Sequence, residues 1–258
     1  MLLFTVKKAF FDMWDNFLAV VIMNLGFIAL LAIPVLVPPA VVEIHILLAL
    51  GTTIGGGLLV VVYCGALAMA ARDIANYERP EFRKFPHYLK ETWASSLVLG
   101  LIWTAVALVV NVGFPVYLGM GNLVGLAAAV FLFWAILVWA LAGQFYFPIR
   151  AQLDDKITKV LRKCFVIFFD NTVFAIVVGI GTIVVSAGSA FTAFLIPGIG
   201  GLLIWHQVAL KLRLYKYDYL EEHPDANRKD IPWDALLIDE KDRVGKRTLR
   251  GMIFPWKE

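Results

Sequence analysis

Two long stretches of this chain contain no Asp, Glu, Lys or Arg. The first runs from Thr92 to Ile149, which is 58 residues, and the second runs from Asn171 to Leu210, a further 40. Because about 20 apolar residues in a helix cross the hydrocarbon core of a bilayer, each stretch can hold two spans and a turn. Two shorter apolar stretches near the N-terminus each add one span.

The sequence therefore predicts an all-α integral membrane protein with six transmembrane helices. These stretches are expected to be helical because backbone groups facing lipid must be hydrogen-bonded within the protein. A hydrophobic content of 60% and a charged content of 17% are typical of this class and not of soluble domains. The spans are expected at about 17–37, 46–71, 93–115, 122–147, 166–187 and 190–210, and residues 211–258 are expected to form a cytoplasmic helix extension and tail.

The 23 Lys and Arg residues lie in four blocks, which predict the orientation of the spans. They occupy the N-terminus, the 72–91 and 150–163 connections and the residues after Leu210. Basic residues collect on the cytoplasmic side of membrane proteins. We therefore expect three antiparallel hairpins in the cell (cytoplasmic) membrane, with both termini inside and three turns outside. The net charge of +3 is then a topology signal, and no nucleic-acid partner is expected.

The first and last parts of the membrane domain share a pattern at a spacing of 155 residues. A basic pair precedes aromatic residues, an Asp-Asn step, an apolar run and a glycine in both parts. This pattern is consistent with an internal duplication, which is found in transport proteins and is also a simple way to build any helix bundle. The matched pairs are Lys8 and Lys163, Phe10 and Phe165, Asp15 and Asp170, Asn16 and Asn171, and Gly26 and Gly181.

Glycines predict where helices approach one another closely. Gly51 and Gly55 form a GxxxG step, and Gly125 with Ala129 forms a second small-residue surface. The segment 197–201, which reads Pro-Gly-Ile-Gly-Gly, is expected to bend or break the sixth span. Such a break either serves packing or opens a cavity, and both interpretations remain open.

Polar residues within apolar stretches are candidates for a functional site because burying them in a bilayer is costly. Asp170 is the one carboxylate within such a stretch. It could cap a helix at the membrane interface, form a polar site between repeats, or relay protons. His206 is expected to be solvated at the level of the lipid headgroups. The candidate residues for a polar cavity or a repeat interface are Asn24, Thr53, Asn111, Asp170 and Asn171.

No pattern of catalytic or metal-binding residues is recognisable in the sequence. The two cysteines, Cys64 and Cys164, have no metal-ligand neighbours and are not expected to form a structural disulfide. We therefore expect no cofactor, no metal site and no enzymatic activity.

The tail mixes charged residues with apolar anchors. Trp233, Phe254 and Trp256 are its candidate docking residues. The tail could pack back on the basic connections of its own chain, or it could present a short motif to a cytosolic partner. Both alternatives predict ordered contact.

Motifs within the first 105 residues resemble a known family. The segments NLGFIALLAIP at 24–34, TIG at 53–55 and FPHYLKETW at 85–93 are similar to motifs of the YesL-like family of uncharacterised bacterial membrane proteins. In that family the proline and the TIG step lie close together in the sequence, whereas here the segment 34–51 separates them. The resemblance implies a bacterial multi-pass protein of the cytoplasmic membrane. Family members are suspected accessories of carbohydrate uptake, and the resemblance assigns no functional residue.

The leading hypothesis is a non-enzymatic accessory or scaffold of a membrane complex, linked to solute or carbohydrate uptake. Besides the lipid bilayer, its expected partner is a membrane complex or a cytosolic protein, bound through the 72–91 and 150–163 connections and the tail. The alternative is a small transporter or channel subunit with a cavity between the hairpins. A lipid-modifying enzyme would need a His or Asp site that the sequence does not show.

Overall fold

The structure is a computed structural model that describes residues 1–228 and 230–247. Its regular secondary structure is helical, and these residues contain no β-strand. The predicted all-α fold class is therefore confirmed. Five segments are long and apolar enough to cross a membrane: Phe17–Val41, Ile46–Ala75, Phe82–Gly119, Leu123–Gln152 and Thr172–Phe191.

Twelve α-helices follow one another along the described residues. A 3₁₀ turn at Phe82–Lys84 precedes the fourth helix, and a π-helical turn at Val109–Gly113 joins the fourth to the fifth. The helices are α1 (Leu2–Asp15), α2 (Phe17–Val41), α3 (Ile46–Ala75), α4 (Phe85–Leu108), α5 (Phe114–Gly119), α6 (Leu123–Gly143), α7 (Tyr146–Gln152), α8 (Ile157–Asp170), α9 (Thr172–Phe191), α10 (Gly198–Glu222), α11 (Trp233–Leu236) and α12 (Ile238–Val244).

Helix α10 corresponds to the sixth predicted span, but it begins at Gly198, eight residues later than predicted. Most of its residues from Gly198 to Leu212 are buried, and α1, α2, α3, α7 and α9 all pack against it. Because protein surrounds this helix, it can carry His206 and Gln207 between apolar residues. With these residues and the charged residues of its second half, α10 is not among the five segments that meet the criteria for a membrane span.

The packing of the helices follows an approximate three-fold order. Three units can be distinguished, α1–α3, α4–α7 and α8–α10, and the closing helices of the units, α3, α7 and α10, contact one another. The opening helix of each unit packs on the closing part of another: α1 on α10, α4 on α3, and α8 on α6 and α7. We call the end of the bundle where α3 and α10 end, and where the tail lies, the basic end.

The three predicted hairpins match the order in which the chain connects the helices, but the two long helices of the second hairpin do not pack closely against each other. Helix α4 lies along α3, and α6 contacts α8 and α9, so the two long helices of the second unit diverge. They are linked through α5 and through the rings of Trp103 and Trp139, whose centroids are 6.5 Å apart. The close α3–α4 crossing depends on Gly65, where an added Cβ would lie 1.9 Å from Ser96 Oγ.

One of the two predicted small-residue surfaces is wrong. Gly51 and Gly55 are exposed, and a Cβ added at either would meet nothing within 4 Å. Gly125 is buried as predicted, because the carbonyl of Tyr117 would lie 2.2 Å from its Cβ. The sequence shows that one face of a helix carries small residues. Whether that face packs against another helix depends on where the neighbouring helices lie.

The matched Asp-Asn steps are helix breaks in both copies. Helix α1 has 14 residues and ends at Asp15, and α8 has 14 residues and ends at Asp170, so their bounds coincide at the spacing of 155. The asparagine that follows each helix has a non-helical backbone conformation, with φ of −113° at Asn16 and −141° at Asn171. Helix α4 has no such break, so the middle unit lacks this feature.

The two copies also share a packing contact. The hydroxyl of Tyr63 on α3 donates to the carbonyl of Met23 at 3.1 Å and covers Gly26, where a Cβ would lie 2.1 Å from the hydroxyl oxygen. In the last unit Trp205 Nε1 donates to the carbonyl of Val178 at 3.1 Å, and its ring covers the glycine 155 residues after Gly26. Met23 and Val178 are themselves 155 residues apart.

Candidate functional site

The five predicted cavity residues do not share a site in this structure. Asn24 is buried between α2 and the start of α10. Thr53 is exposed on α3 and donates to the carbonyl of Ala49 in its own helix at 2.9 Å. Asn111 is exposed in the π-helical turn and donates to the carbonyl of Ala107 at 2.8 Å. The Asp170–Asn171 pair lies toward the basic end, where it contacts α10.

Asn24 fixes the backbone where α10 begins. Its side-chain nitrogen donates to the carbonyls of Leu195 and Pro197, each at 2.8 Å. Its side-chain oxygen accepts from the backbone N–H of Gly200 at 2.8 Å. Since the first N–H groups of a helix have no partner within the helix, this side chain supplies one from a neighbouring helix. The geometry assigns Asn24 a structural role.

The same contacts place the α9–α10 turn, residues 192–197, well short of the end of the bundle opposite the basic end. Asn24 lies about 10 Å along α2 from Phe17, and α2 continues for about 25 Å beyond it to Val41. The spans predicted at 166–187 and 190–210 place this turn at 188–189, on the outer surface. It instead follows Phe191 and lies level with the part of α2 nearer the basic end.

The backbone of this turn is hydrogen-bonded within the protein. The N–H groups of Thr192 and Phe194 donate to the carbonyl of Ser189, and the hydroxyl of Ser189 accepts from the N–H of Gly198 at 3.0 Å. The hydroxyl of Thr192 contacts both the N–H and the carbonyl of Ile196. Such pairing is what a non-helical segment needs inside a bilayer. The exposed large side chains of the turn region are apolar: Phe191, Phe194, Leu195 and Ile196.

Asp170 forms an ion-paired cluster with α10. Lys216 Nζ lies 2.8 Å from a carboxylate oxygen, and the hydroxyl of Tyr217 donates to the same oxygen at 2.9 Å. Asn171 bonds to both partners, accepting from Lys216 at 3.0 Å and donating to Tyr217 at 2.6 Å. Burial raises the pKa of Asp170, but the bonds from Lys216 and Tyr217 and the nearby positive charges outweigh it and hold the pKa below its usual value.

These contacts decide between the interpretations of Asp170. Neither Asp170 nor Asn171 makes a side-chain capping bond to α9. A carboxylate with a lowered pKa stays ionised near neutral pH, so it is poorly suited to relay protons. The pair instead ties the α8–α9 break to α10.

Two buried polar residues of α10 hold the inner helices together. His206 is buried rather than solvated, and its Nε2 lies 2.7 Å from the hydroxyl of Thr182 on α9. The side chain of Gln207 donates to the carbonyl of Ala68 on α3 at 2.9 Å and accepts from Gln152 of α7 at 2.5 Å. Gln207 therefore joins the closing helices of all three units, a role that its position at the end of an apolar run did not indicate.

Glu240 of α12 inserts its carboxylate among polar groups at the basic end. One oxygen accepts from Lys211 Nζ at 2.7 Å and from the hydroxyl of Tyr215 at 3.0 Å. The other accepts from the hydroxyl of Tyr77 at 2.6 Å and lies 3.5 Å from Lys8 Nζ. The tail is thereby tied at once to α1, to α10 and to the turn that follows α3. We call this group the Glu240 cluster.

The Glu240 cluster is buried and balanced in charge. Lys8 has no exposed surface; its Nζ pairs with Asp12 at 2.8 Å and lies 3.6 Å from the ring centroid of Tyr77. Two lysines, Lys8 and Lys211, thus face two carboxylates. Since a buried charge without a partner is costly, removing Glu240 would leave the lysines uncompensated.

The pKa values of the two carboxylates are shifted in opposite directions. Burial raises the pKa of Asp12 to about 6, although the charge of Lys8 opposes the shift. Burial also raises the pKa of Glu240, but the bonds from Lys211 and Tyr77 and the charge of Lys8 outweigh it, so the pKa lies below its usual value. Glu240 is therefore the ionised anchor of the cluster at neutral pH.

The rest of the described tail also packs on its own chain. Trp233 is half-buried, with the Arg213 guanidinium 5.3 Å from its ring centroid, and Leu237 is buried. Arg247 pairs with both carboxylate oxygens of Asp15 at 2.9 Å. Of the two alternatives for the tail, contact within the chain holds for these residues. The other two candidate anchors, Phe254 and Trp256, lie outside the described residues.

A polar cavity of about 400 Å³ opens at the basic end between α3 and α7. Arg72 and Asp73 are among its lining residues, and both carboxylate oxygens of Asp73 are occupied, one by Arg72 at 2.7 Å and the other by the hydroxyl of Tyr88 at 2.5 Å. The other lining residues are Asn76, Glu78, Ala151, Gln152 and Leu214.

Residues 1–228 and 230–247 contain no group of three or more His, Cys, Asp or Glu side chains arranged to hold a metal ion. Cys64 and Cys164 are buried and unpaired. No protein-family model, curated protein or solved structure matches the chain. The inference of function therefore depends on the geometry of this chain and on the sequence resemblance given above.

Proposed function

We propose that this protein is a non-enzymatic accessory or scaffold of a membrane complex, with the basic end in the cytoplasm as its docking face. The observation that carries the proposal is the Glu240 cluster. It holds the tail against α1, α10 and the turn after α3, so the tail and the connections after α3 and α7 form one preformed surface. A partner that binds a preformed surface avoids the entropic cost of ordering it.

Six spans and a cytoplasmic location of both termini are part of this proposal. The basic connections and the tail meet at one end of the bundle, as the positive-inside rule requires. Helix α10 pairs with α9 to return the chain to that end. The same charge pattern supports a cell membrane location, and the YesL-like resemblance supports a bacterial protein linked to solute or carbohydrate uptake.

A small transporter or channel subunit is the second candidate, and the polar cavity at the basic end is the observation that favours it. The scaffold is preferred because the five predicted cavity residues are dispersed and the three closing helices meet tightly around Gln207. Cysteine accessibility distinguishes the two. Labelling by a water-soluble maleimide at mid-span positions of α3 or α10 would favour transport, and protection would favour the scaffold.

Partner capture tests the docking face. The full chain, a Glu240→Gln variant, an Asp239→Asn variant and a chain ending at Asp230 would be purified in mild detergent after cross-linking in cells. Asp239 is exposed beside Glu240 and is the matched control. We expect the same partner with the full chain and the control, and its loss from the other two. Equal capture by the chain ending at Asp230 would show that the tail is not part of the interface.

A further inference from the structure

Helix α1 carries a row of side chains that changes from basic to aromatic along its length. Lys7, Phe10 and Trp14 stand on successive turns of one helix face. The rings of Phe10 and Trp14 are stacked with centroids 6.3 Å apart, and Phe17 continues the row at 6.3 Å from Trp14. Lys7 and Trp14 are about 10 Å apart along the helix axis.

A basic cavity of about 590 Å³ lies at the Lys7 end of this row, between α1 and the tail. Three lysines, Lys7, Lys241 and Lys246, line it together with one carboxylate, Asp242. Lys7 donates one hydrogen bond, to the carbonyl of Gly245 at 2.9 Å, and keeps two protons for other acceptors. In the described part of the chain, Lys246 makes no hydrogen bond or ion pair.

An apolar groove of about 370 Å³ lies at the aromatic end of the row. Phe10, Trp14 and Phe17 form one wall, and α9 and the α9–α10 turn form the other through Val184, Gly188 and Pro197. A Cβ added at Gly188 would meet nothing within 4 Å, so this glycine leaves the groove open.

We propose that this surface binds one anionic phospholipid of the cytoplasmic leaflet, with its headgroup phosphate between Lys7 and Lys246 and one acyl chain in the groove. Charge complementarity selects the headgroup, because Lys241 is paired with Asp234 at 2.7 Å, whereas Lys7 and Lys246 have no carboxylate partner among the described residues. Basic groups attract anionic lipids at this membrane surface. The adjoining groove selects a lipid over a soluble anion, since a soluble anion would leave the apolar walls uncovered. The inference depends on the proposed orientation and is independent of the scaffold role.

Lipid retention tests the proposal. The full chain would be reconstituted with phosphatidylglycerol and phosphatidylcholine, extracted in mild detergent, and the bound lipid measured by native mass spectrometry. We expect the Lys7→Gln/Lys246→Gln variant to bind phosphatidylglycerol roughly 30-fold more weakly, from the usual contribution of two lysines at a membrane surface. A Lys84→Gln/Lys156→Gln variant, which changes two exposed lysines elsewhere, should match the unaltered chain.

A second pair of variants tests the groove separately. Gly188→Leu should fill it and reduce phosphatidylglycerol retention, whereas Gly51→Leu, at an equally open position on α3, should not. Equal retention by the double lysine variant and the unaltered chain would overturn the proposal. So would displacement of the lipid by inorganic phosphate alone, which would indicate a soluble ligand. A gain in phosphatidylglycerol retention on removing residues 248–258 would also overturn the proposal. It would show that these residues, and not a lipid, occupy the groove in the full chain.

Discussion

The side-chain oxygen of Asn24 accepts a hydrogen bond from the backbone N–H of Gly200 at 2.8 Å, which joins the first half of α2 to the first turn of α10. The two residues are 176 positions apart in the chain. This contact and the two carbonyls that Asn24 also satisfies hold the α9–α10 turn short of the end of the bundle opposite the basic end.

Replacing Asn24 should destabilise the fold. Asn24→Ala would leave one buried N–H and two carbonyls without their partner, and we expect a loss of roughly 2–4 kcal/mol in the free energy of unfolding. Thermal unfolding in a single detergent would measure it. Asn111→Ala is the control, because Asn111 is exposed and bonds only to its own helix. Similar losses in both variants would contradict the role assigned to Asn24.

The glycine under Trp205 should tolerate no side chain. In Gly181→Ala the new Cβ would lie 2.4 Å from Trp205 Cζ2, and we expect a loss of about 1–3 kcal/mol in unfolding free energy. Gly188→Ala on the same helix meets nothing within 4 Å and should be neutral or stabilising. Adding Trp205→Phe to Gly181→Ala should recover part of the loss, and a purely additive double variant would show that the ring is not the obstacle.

Neutralising Glu240 should release the tail. Glu240→Gln leaves Lys8 and Lys211 with Asp12 as their one carboxylate, so we expect cleavage in the 223–232 linker at least tenfold faster under limited proteolysis. Asp239→Asn changes an exposed neighbour and should cleave at the rate of the unaltered chain. Unchanged cleavage of the Glu240 variant would mean that packing of Leu237 and Trp233 holds the tail without the cluster.

The attachment of the tail should withstand mild acid. The pKa of Glu240 is lowered on folding, so its contribution to stability is complete above the ordinary glutamate pKa, near 4.5, and is lost only as the pH falls through the lower folded value. The pKa of Asp12 is raised to about 6, so its protonation favours the folded state as the pH falls from about 6 toward 4.

Proteolysis of the linker across pH 4–8 would check both shifts. We expect a docked tail down to about pH 4.5, and Asp12→Asn should remove the gain in protection between pH 6 and pH 4. Release of the tail near pH 6 would show that the charge balance, rather than Glu240 alone, controls docking.

The α9–α10 turn should be shielded from water. A cysteine at Ala193 should react slowly with a membrane-impermeant maleimide, whereas cysteines at Ile44 and Gly121, in the two longer hairpins, should react quickly from outside the cell. Cys64 and Cys164 are buried and should contribute little background. Fast labelling at Ala193 would place the turn at the surface.

The all-helical fold and most helix positions were predictable because they depend on how apolar and charged residues are distributed along the chain. Uncharged runs such as 92–149 must be helical in a bilayer, whatever surrounds them. The Asp-Asn steps at 15–16 and 170–171 were also visible as a pattern, and in the structure both end a 14-residue helix. The local pattern marks both breaks, and in the second copy Lys216 and Tyr217 of α10 also hold Asp170 and Asn171.

The site residues were harder to predict because each depends on a partner far away in the chain. Asn24 was a cavity candidate on the basis of polarity alone, and its carbonyl partners 171 and 173 residues away make it structural. The sequence presents Lys8 and Lys211 as topology signals and does not distinguish Glu240 from the other acidic residues of the tail. The one sequence feature that hinted at the docking of Glu240 was the apolar segment 236–238 just before it, in a tail that is otherwise mostly charged.

The sequence by itself determined the helical class and the division into apolar runs and basic blocks, because a bilayer constrains every span through its length and its backbone hydrogen bonds. The tertiary structure decided which polar side chains meet and how deep the last turn lies. It also decided that the described tail docks on its own chain, where Glu240 joins Lys8 and Lys211. Those contacts join residues far apart in the chain, and their free energy depends on burial and distance, which no linear pattern records.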